Sequence, residues 1–508
     1  MFIKIRNECF IFFISLLIYL PPILWGNYFM DDSYRSIYGY YDWTGDYRPI
    51  ADLIYYILGQ GYFVDLFPYT YIIQIFICSY FIYAITEKTK RIYNFDNKYE
   101  KLISLGFFCL FLNPFFLQNI YFRYDSLPMM LSIIFVCLPL YFEYKKIIVS
   151  IVCCLLTLFT YQSSIIGFSV IVCLHTLFLI SKNYTQKEVA LFISKNILAL
   201  LGALIIFGFV SHFLIEPNHY ASKNLNFIFS YSNWTNLIYE NINYSLKNLT
   251  ITNRLIDYIL FLILSILSLL SILVILKNHK STFIFKIAIF LGLTLVCLLG
   301  LLNTNIFLYQ PRLHARTYIG FGFVNLFIYL SIAFYFFRNN IKKNEYVFLF
   351  SILSYLPVLY FIIIAQTYNA LNDIKKYNQN IISYLIHDIK KVRKSESYLV
   401  AVGYTDYTKR YQVLADIYPC IRKTIISELD VNTHSYFYSF MNNFNFNFQQ
   451  YPSDDLLTKA NLYKQVKNKV PIVDDPFYNI YSYQGNLIVA FKNDNGVVNI
   501  SDEPNRFK

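Results

Sequence analysis

The sequence predicts a polytopic α-helical membrane protein with about 11 transmembrane helices and a C-terminal α/β domain. Three observations carry this. Of 508 residues, 56% are hydrophobic, 20% aromatic and only 15% charged. Apolar runs of about 20 residues, the length that crosses a hydrocarbon core, recur from the N-terminus to residue 366. From Thr367 the hydropathy falls and a mixed-charge segment runs to residue 508.

Taken in order, the runs place helices near 9–26, 68–85, 102–118, 127–144, 147–163, 165–181, 196–215, 256–276, 287–304, 317–337 and 346–366. The first is expected to stay in the protein, because PPILWGNYFMDD carries no small-x-small cleavage site. With the N-terminus cytoplasmic, the inner segments hold 18 Lys and Arg and the outer loops 8. That is the positive-inside bias, and it sets the orientation. An odd number of spans then sends the C-terminus outward. There SYLVAVGY and GNLIVAFKN read as buried strands, and YNQNIISYLIHDIKKVRK reads as an amphipathic helix. The expected division is a membrane module, 1–366, with a first outer loop at 27–67, and an outer α/β domain, 367–508.

Several classes are excluded. All nine cysteines except Cys9 and Cys420 fall inside expected spans, so the outer domain cannot form its own disulfide and the thiols read as packing residues. The net charge of +12 follows mostly from the basic inner loops and implies no nucleic-acid partner. No Walker loop, no G-x-G-x-x-G after a strand, no G-x-S-x-G and no His/Cys pair at metal spacing is present. No cofactor and no metal site are therefore expected. His175, alone within a span, reads as a packed or hydrogen-bonded core residue.

What remains is a set of polar residues at the outer ends of helices. Asp31 and Asp32 follow the first span, Arg35 comes one turn later, and Trp43 precedes Arg48 in the stretch YRPIADLIYYILGQG. YFRYDSLP brings Arg123 and Asp125, YQSS brings Tyr161 and Gln162, and QPRLHAR brings Arg312 and Arg316. Ionisable groups beside an apolar phase are costly unless they serve a cavity or pair with one another. Interfacial anchoring accounts for any one of them. It does not account for carboxylates gathered in the first loop and arginines in the later ones. Arginine binds phosphate in bidentate fashion at any biological pH. A neighbouring carboxylate can take the proton of an attacking hydroxyl. Together these groups suit transfer of a sugar from a lipid phosphate, which needs no nucleotide site.

DDSYRSIYGYYDWTGDYRPIADLIYYILGQG resembles the first-loop signature of the bacterial serotype-converting O-antigen glucosyltransferases, with its acidic pair, Arg, Trp and G-R-P-L-A-D segment. YFRYDSLPMMLS, YQSS and PFYNIYSYQGNLIVAFKN resemble later family blocks, although GDYRP stands where the family pattern has G-R-P. The resemblance implies a GT-C-like fold and an inverting transfer of glucose from undecaprenyl phosphate glucose to a surface polysaccharide or lipid-linked glycan acceptor. The reaction would take place on the periplasmic face of the bacterial inner membrane. It implies Asp31 or Asp32 as general base, Arg35, Arg123, Arg312 and Arg316 on the donor phosphate, and Trp43, Arg48, Asp125, Tyr161 and Gln162 around the substrates. A small flippase and a donor-synthesising glycosyltransferase are the implied partners. A polymerase or ligase using lipid-diphosphate glycans would not require the acidic pair. A flippase or transporter would favour charges and broken helices at mid-membrane. The orientation is directly testable: alkaline phosphatase fused after Asp42 or Gln379 is expected to be active, and after Asn94 or Asn183 inactive. Cytoplasmic exposure of the Gln379 fusion would overturn the odd span count.

Overall fold

The computed structural model describes residues 6–218, 221–222, 226–309, 311, 313–338, 343–393, 398–431, 436–442, 444, 449–450 and 456–499. It falls into two compact units. The first comprises Met1–Gly26, Tyr41–Ala365 and Tyr418–Thr424; the second comprises Asn27–Tyr40, Gln366–Ile417 and Ile425–Lys508. The segment 27–67, expected as the first outer loop, is thus divided between them at Tyr40, and a short piece of the C-terminal region joins the first unit.

The chain opens with α1 (Asn7–Trp25), α2 (Asp32–Tyr38, in the second unit), α3 (Pro49–Leu58), α4 (Tyr69–Tyr93) and α5 (Glu100–Phe108). It continues with α6 (Leu117–Tyr121), α7 (Ser126–Tyr141), α8 (Ile147–Thr160), α9 (Ile166–Ser181) and α10 (Gln186–Phe213). Long helices follow at Leu255–Lys277, Phe283–Leu302, Gly320–Arg338 and Lys343–Val392. Among the described residues, eight helices are long and apolar enough to cross a membrane. Most of α9 and of the Gly320–Arg338 helix is buried, whereas α10 leaves Leu201, Ile205 and Phe209 exposed. A helix apolar on all sides with exposed Leu, Ile and Phe is a membrane element, since lipid rather than protein covers it. Polar side chains tie the bundle together: Gln74 of α4 donates to Ser126 of α7 at 2.9 Å, and Ser268 and Ser331 meet at 2.7 Å.

Three of the eleven expected spans are not long helices. Those at 127–144 and 147–163 are α7 and α8, with 16 and 14 residues. The one at 102–118 is broken: α5 ends at Phe108, α6 begins at Leu117, and the backbone between them is irregular and buried. Pro114 has no N–H to continue a helix. Asn113 takes over the lost bonds. Its amide donates to the carbonyls of Cys109 and Leu110 at 3.0 and 3.2 Å, and its oxygen accepts from the N–H groups of Phe115 and Phe116 at 3.1 and 3.0 Å. The last expected span, 346–366, instead continues to Val392 in one helix of 50 residues, because neither Gly nor Pro lies between Pro357 and Val392. The amphipathic stretch expected at 377–394 supplies its C-terminal portion as far as Val392.

The second unit is built on a five-stranded mixed sheet in the order β2-β1-β5-β4-β3, with β1 Tyr398–Gly403, β2 Gln449–Gln450, β3 Val473–Asp474, β4 Tyr478–Tyr483 and β5 Asn486–Phe491. Strands β1 and β5 fulfil the two expected ones. They pair in parallel, and β4 turns into β5 through Gln484 and Gly485, both at positive φ, a two-residue hairpin that Gly accommodates readily. Leu399, Ala401, Leu487 and Val489 face Ile382, Leu385 and Ile389 of the long helix; Val400, Val402, Ile488 and Ala490 face Val466 and Leu462 on the other side. Apolar residues on both faces explain the continuous runs LVAV and LIVAF.

The broken segment at Asn113 packs against Gly322, where an added Cβ would lie 2.7 Å from the Cys109 carbonyl oxygen and 2.9 Å from the Asn113 amide. Gly322→Ala is therefore expected to lower stability by about 1–3 kcal/mol. Gly208→Ala, with nothing within 4 Å, should match the wild type or exceed it. Thermal unfolding in detergent compares the two. Equal melting temperatures for wild type and G322A would contradict the packing described.

Candidate functional site

Four loops of the first unit converge on one buried cluster. Pro49 opens α3 with a backbone angle already suited to a helix. Asp52, in its first turn, reaches back to accept from the N–H groups of Trp43 and Thr44 at 3.3 and 2.5 Å, and from the Thr44 hydroxyl. That holds Trp43 fully buried between the rings of Tyr41 and Tyr55, at 5.9 and 5.2 Å. The Trp43 indole N–H donates to Asp125, which sits just ahead of α7.

Arg48 completes the arrangement. Its guanidinium bonds Asp46 at 2.9 Å, lies 3.8 Å from Asp125 and covers the Tyr161 ring at 5.7 Å. Burial works against its charge, but the carboxylates of Asp46 and Asp125 prevail and hold it above the usual arginine range, with Arg316 pulling the other way. The Tyr161 hydroxyl, itself pushed up by burial, donates to the Arg316 carbonyl at 3.2 Å. Gln162 donates to the carbonyls of Asp46 and Tyr47 at 3.2 and 3.1 Å. The Arg316 guanidinium lies 4.8 Å from the Phe122 ring, and the Arg316 backbone N–H donates to the Gln118 side-chain oxygen at 2.9 Å.

Trp43, Arg48, Asp125, Tyr161, Gln162 and Arg316 thus come together from loops far apart in sequence. Arg123 lies apart from these six. Its guanidinium binds Asp65 at 2.6 Å and the Gly26 carbonyl at 2.7 Å, and covers Phe67 at 4.2 Å, closing the far end of the loop. Arg312 lies outside the described residues. Two residues not expected from the sequence belong to the cluster: Asp46, and Asn218, which donates to Asp46 at 2.9 Å. The added Asp-Tyr in GDYRP is the sequence signal for Asp46. Nothing local marks Asn218.

Asp31, Asp32 and Arg35 lie in the second unit, at the start of α2, which packs against the Tyr436–Asn442 helix. Asp32 is almost completely buried and accepts from the Phe29 N–H at 3.3 Å. Asp31 is more open and pairs with Arg35 one turn on, at 3.7 Å. Met30, directly before the pair, holds a φ of 51°, a left-handed conformation that is uncommon for a residue of this kind.

The family model for glucosyl transferase GtrII matches residues 22–327, a span that takes in every one of these candidate residues. The chain belongs to the GtrII family. A Salmonella phage P22 protein, described as an uncharacterized 55.3 kDa protein in the gtrB 5′ region, is 31% identical over 216 residues. The alignment covers 41% of this chain and 42% of that relative, less than half of either. No solved structure matches the chain. The enzyme class that the GtrII family name carries is glycosyltransferase.

In this GtrII chain, Arg48 is the counter-charge for the buried Asp125 and the half-buried Asp46. Arg48→Ala is expected to cost about 3–5 kcal/mol, the penalty for stranding buried charge. Adding Asp125→Asn to that variant should restore part of the loss. Thermal unfolding of the single and double variants is the measurement. An R48A protein as stable as the wild type would show that the cluster is not charge-coupled.

Proposed function

We propose that this protein is an integral-membrane glucosyltransferase of GT-C type. It moves a sugar, glucose by family resemblance, from a polyprenyl phosphate to a surface polysaccharide or lipid-linked glycan on the outer face of the bacterial inner membrane. The observation that carries this reading is the family match over 22–327, joined to a buried cluster rich in arginine within an apolar helical unit. The acceptor hydroxyl oxygen bonds to the anomeric carbon as the carbon–oxygen bond to phosphate breaks. The bonding pair leaves with the lipid phosphate, and the hydroxyl proton passes to a carboxylate. One displacement inverts the anomeric centre.

Roles are assigned residue by residue. Asp31 is the first choice for general base, being the more open carboxylate of the pair, with Asp32 the second. Arg316 is the first choice for the donor phosphate: its guanidinium lies on the Phe122 ring beside Tyr161 and Arg48, and a guanidinium matches phosphate in bidentate fashion. Trp43, Arg48, Asp125, Tyr161 and Gln162 shape the substrate surface beside it. The arginines supply the positive charge a leaving phosphate needs, and no cofactor is invoked. An apolar cavity of about 210 Å³, lined by Phe261, Leu269, Leu293, Leu298 and Phe327, offers room for part of a prenyl chain.

A transporter reading draws on one feature, the broken segment at Asn113, but its residues CLFLNPFF carry no charge to bind a coupling ion or a charged substrate. Transfer assayed in detergent micelles separates the two readings, because micelles have no second compartment. Wild-type protein is expected to form product from a defined polyprenyl phosphate sugar. Asp31→Asn or Asp32→Asn should reduce turnover by about 100-fold or more, the usual size of general-base help. Arg316→Lys should weaken donor binding. Near-normal turnover in both Asn variants would remove the base from this pair, and no product from the wild type would remove the enzyme reading.

A further inference from the structure

A second cavity, polar and of about 700 Å³, lies elsewhere in the first unit. It is lined by Lys88, Arg91, Glu143, His175, Lys182 and Tyr184, among others. These residues come from the ends of α4, α7 and α9. Each of the three helices begins beside the loops described above, close to Asp65, Asp125 and Gln162 respectively, and each ends at this cavity. A helix of 16 residues spans about 24 Å. The cavity therefore sits at the opposite end of the bundle from the Arg48 cluster.

Its chemistry is that of an anion site. Three cations face one carboxylate. Glu143 is held by Lys88 and lies 3.5 Å from Lys145. Neither Arg91 nor Lys182 is in an ion pair among the described residues; Lys182 only approaches the Phe178 ring, at 5.9 Å. The deepest polar group is His175, 8% exposed, enclosed by the rings of Tyr144, Phe178 and Phe192 at 5.2, 5.7 and 4.9 Å. Its Nδ1 lies 3.2 Å from the Tyr93 hydroxyl, and Nε2 has no hydrogen-bond partner among the described residues. A neutral imidazole that accepts from Tyr93 at Nδ1 carries its own proton on Nε2, which makes that nitrogen a donor for a ligand in the cavity.

We infer that this cavity binds a phosphate ester, with Arg91 and Lys182 pairing with the phosphate and His175 Nε2–H donating to it from below. The volume is ordinary for a small-ligand pocket and leaves space for a headgroup beyond the phosphate. A lipid headgroup and a soluble phosphate share the recognising chemistry. A phosphate ester bound here would staple α4, α7 and α9 together at the end remote from the candidate site.

Full-length protein in phosphatidylcholine nanodiscs, with and without phosphatidylglycerol, and separately with inorganic phosphate, provides the test, read by retained lipid in native mass spectrometry and by melting temperature. The double variant R91A/K182A, altered at two exposed positions, is expected to bind roughly tenfold or more weakly, since two charge-assisted contacts are lost. His175→Phe should weaken binding while keeping the aromatic surround, and Glu143→Gln, which removes the one competing carboxylate, should tighten it. Phosphatidylglycerol retained by the wild type and lost by R91A/K182A identifies a lipid source. Stabilisation by inorganic phosphate that the same variant abolishes identifies a soluble one. Binding of neither, or binding unchanged in R91A/K182A, overturns the inference.

Discussion

Polar groups that the chain carries into its apolar unit must find their partners within the chain, and the rest of the structure follows from that constraint. No water competes for them there, so an unmet N–H or carboxylate costs several kcal/mol or so. Asn113 shows the rule at the level of the backbone. One side chain makes four hydrogen bonds across the gap opened by Pro114, and the buried helix can then break without leaving carbonyls exposed to hydrocarbon. The break demands a neighbour without a side chain, which is why Gly322 lies against it.

Charge obeys the same rule in the loops. Arg48 is tolerable because Asp46 and Asp125 meet it, and Asp125 is placed because Trp43 donates to it. Trp43 in turn is fixed by Asp52 folding back from the first turn of α3. The chain of dependence runs from a helix start, through a loop, to a buried ion cluster. Each side chain in such a cluster is fixed by its neighbours, so its charges are oriented by the fold itself. The acidic pair is held differently. Asp31 and Asp32 begin a short helix in the second unit, with Arg35 and Tyr40 as near neighbours.

The same three helices α4, α7 and α9 that begin beside Asp65, Asp125 and Gln162 at one end frame the His175 cavity at the other. Their interior is packed and joined by hydrogen bonds such as those of Gln74 with Ser126 and Ser132 with Ser164, at 2.9 and 2.7 Å. Packed interiors transmit strain rather than absorb it. Whatever occupies one end acts on elements that reach the other.

The membrane class, the positions of most helices, the β1 and β5 strands and the resemblance to a glucosyltransferase family were legible in the amino-acid order, because each rests on local composition or a contiguous motif. Asp31, Asp32, Arg48 and Asp125 were visible for the same reason: charge beside an apolar run stands out. The break at Asn113 was not, since an apolar run reads alike whether helical or irregular, and only the packing of Gly322 and the bonding of Asn113 make the irregular form stable. The meeting of Arg48 with Asp125 and Asn218 with Asp46, the tying-up of Arg123 by Asp65, and the isolation of His175 Nε2 all depend on residues tens to hundreds of positions apart. Such contacts have no local signature, because what selects them is the requirement that buried charge be paired in three dimensions, and that is decided only when the loops are brought together by the folded helices beneath them.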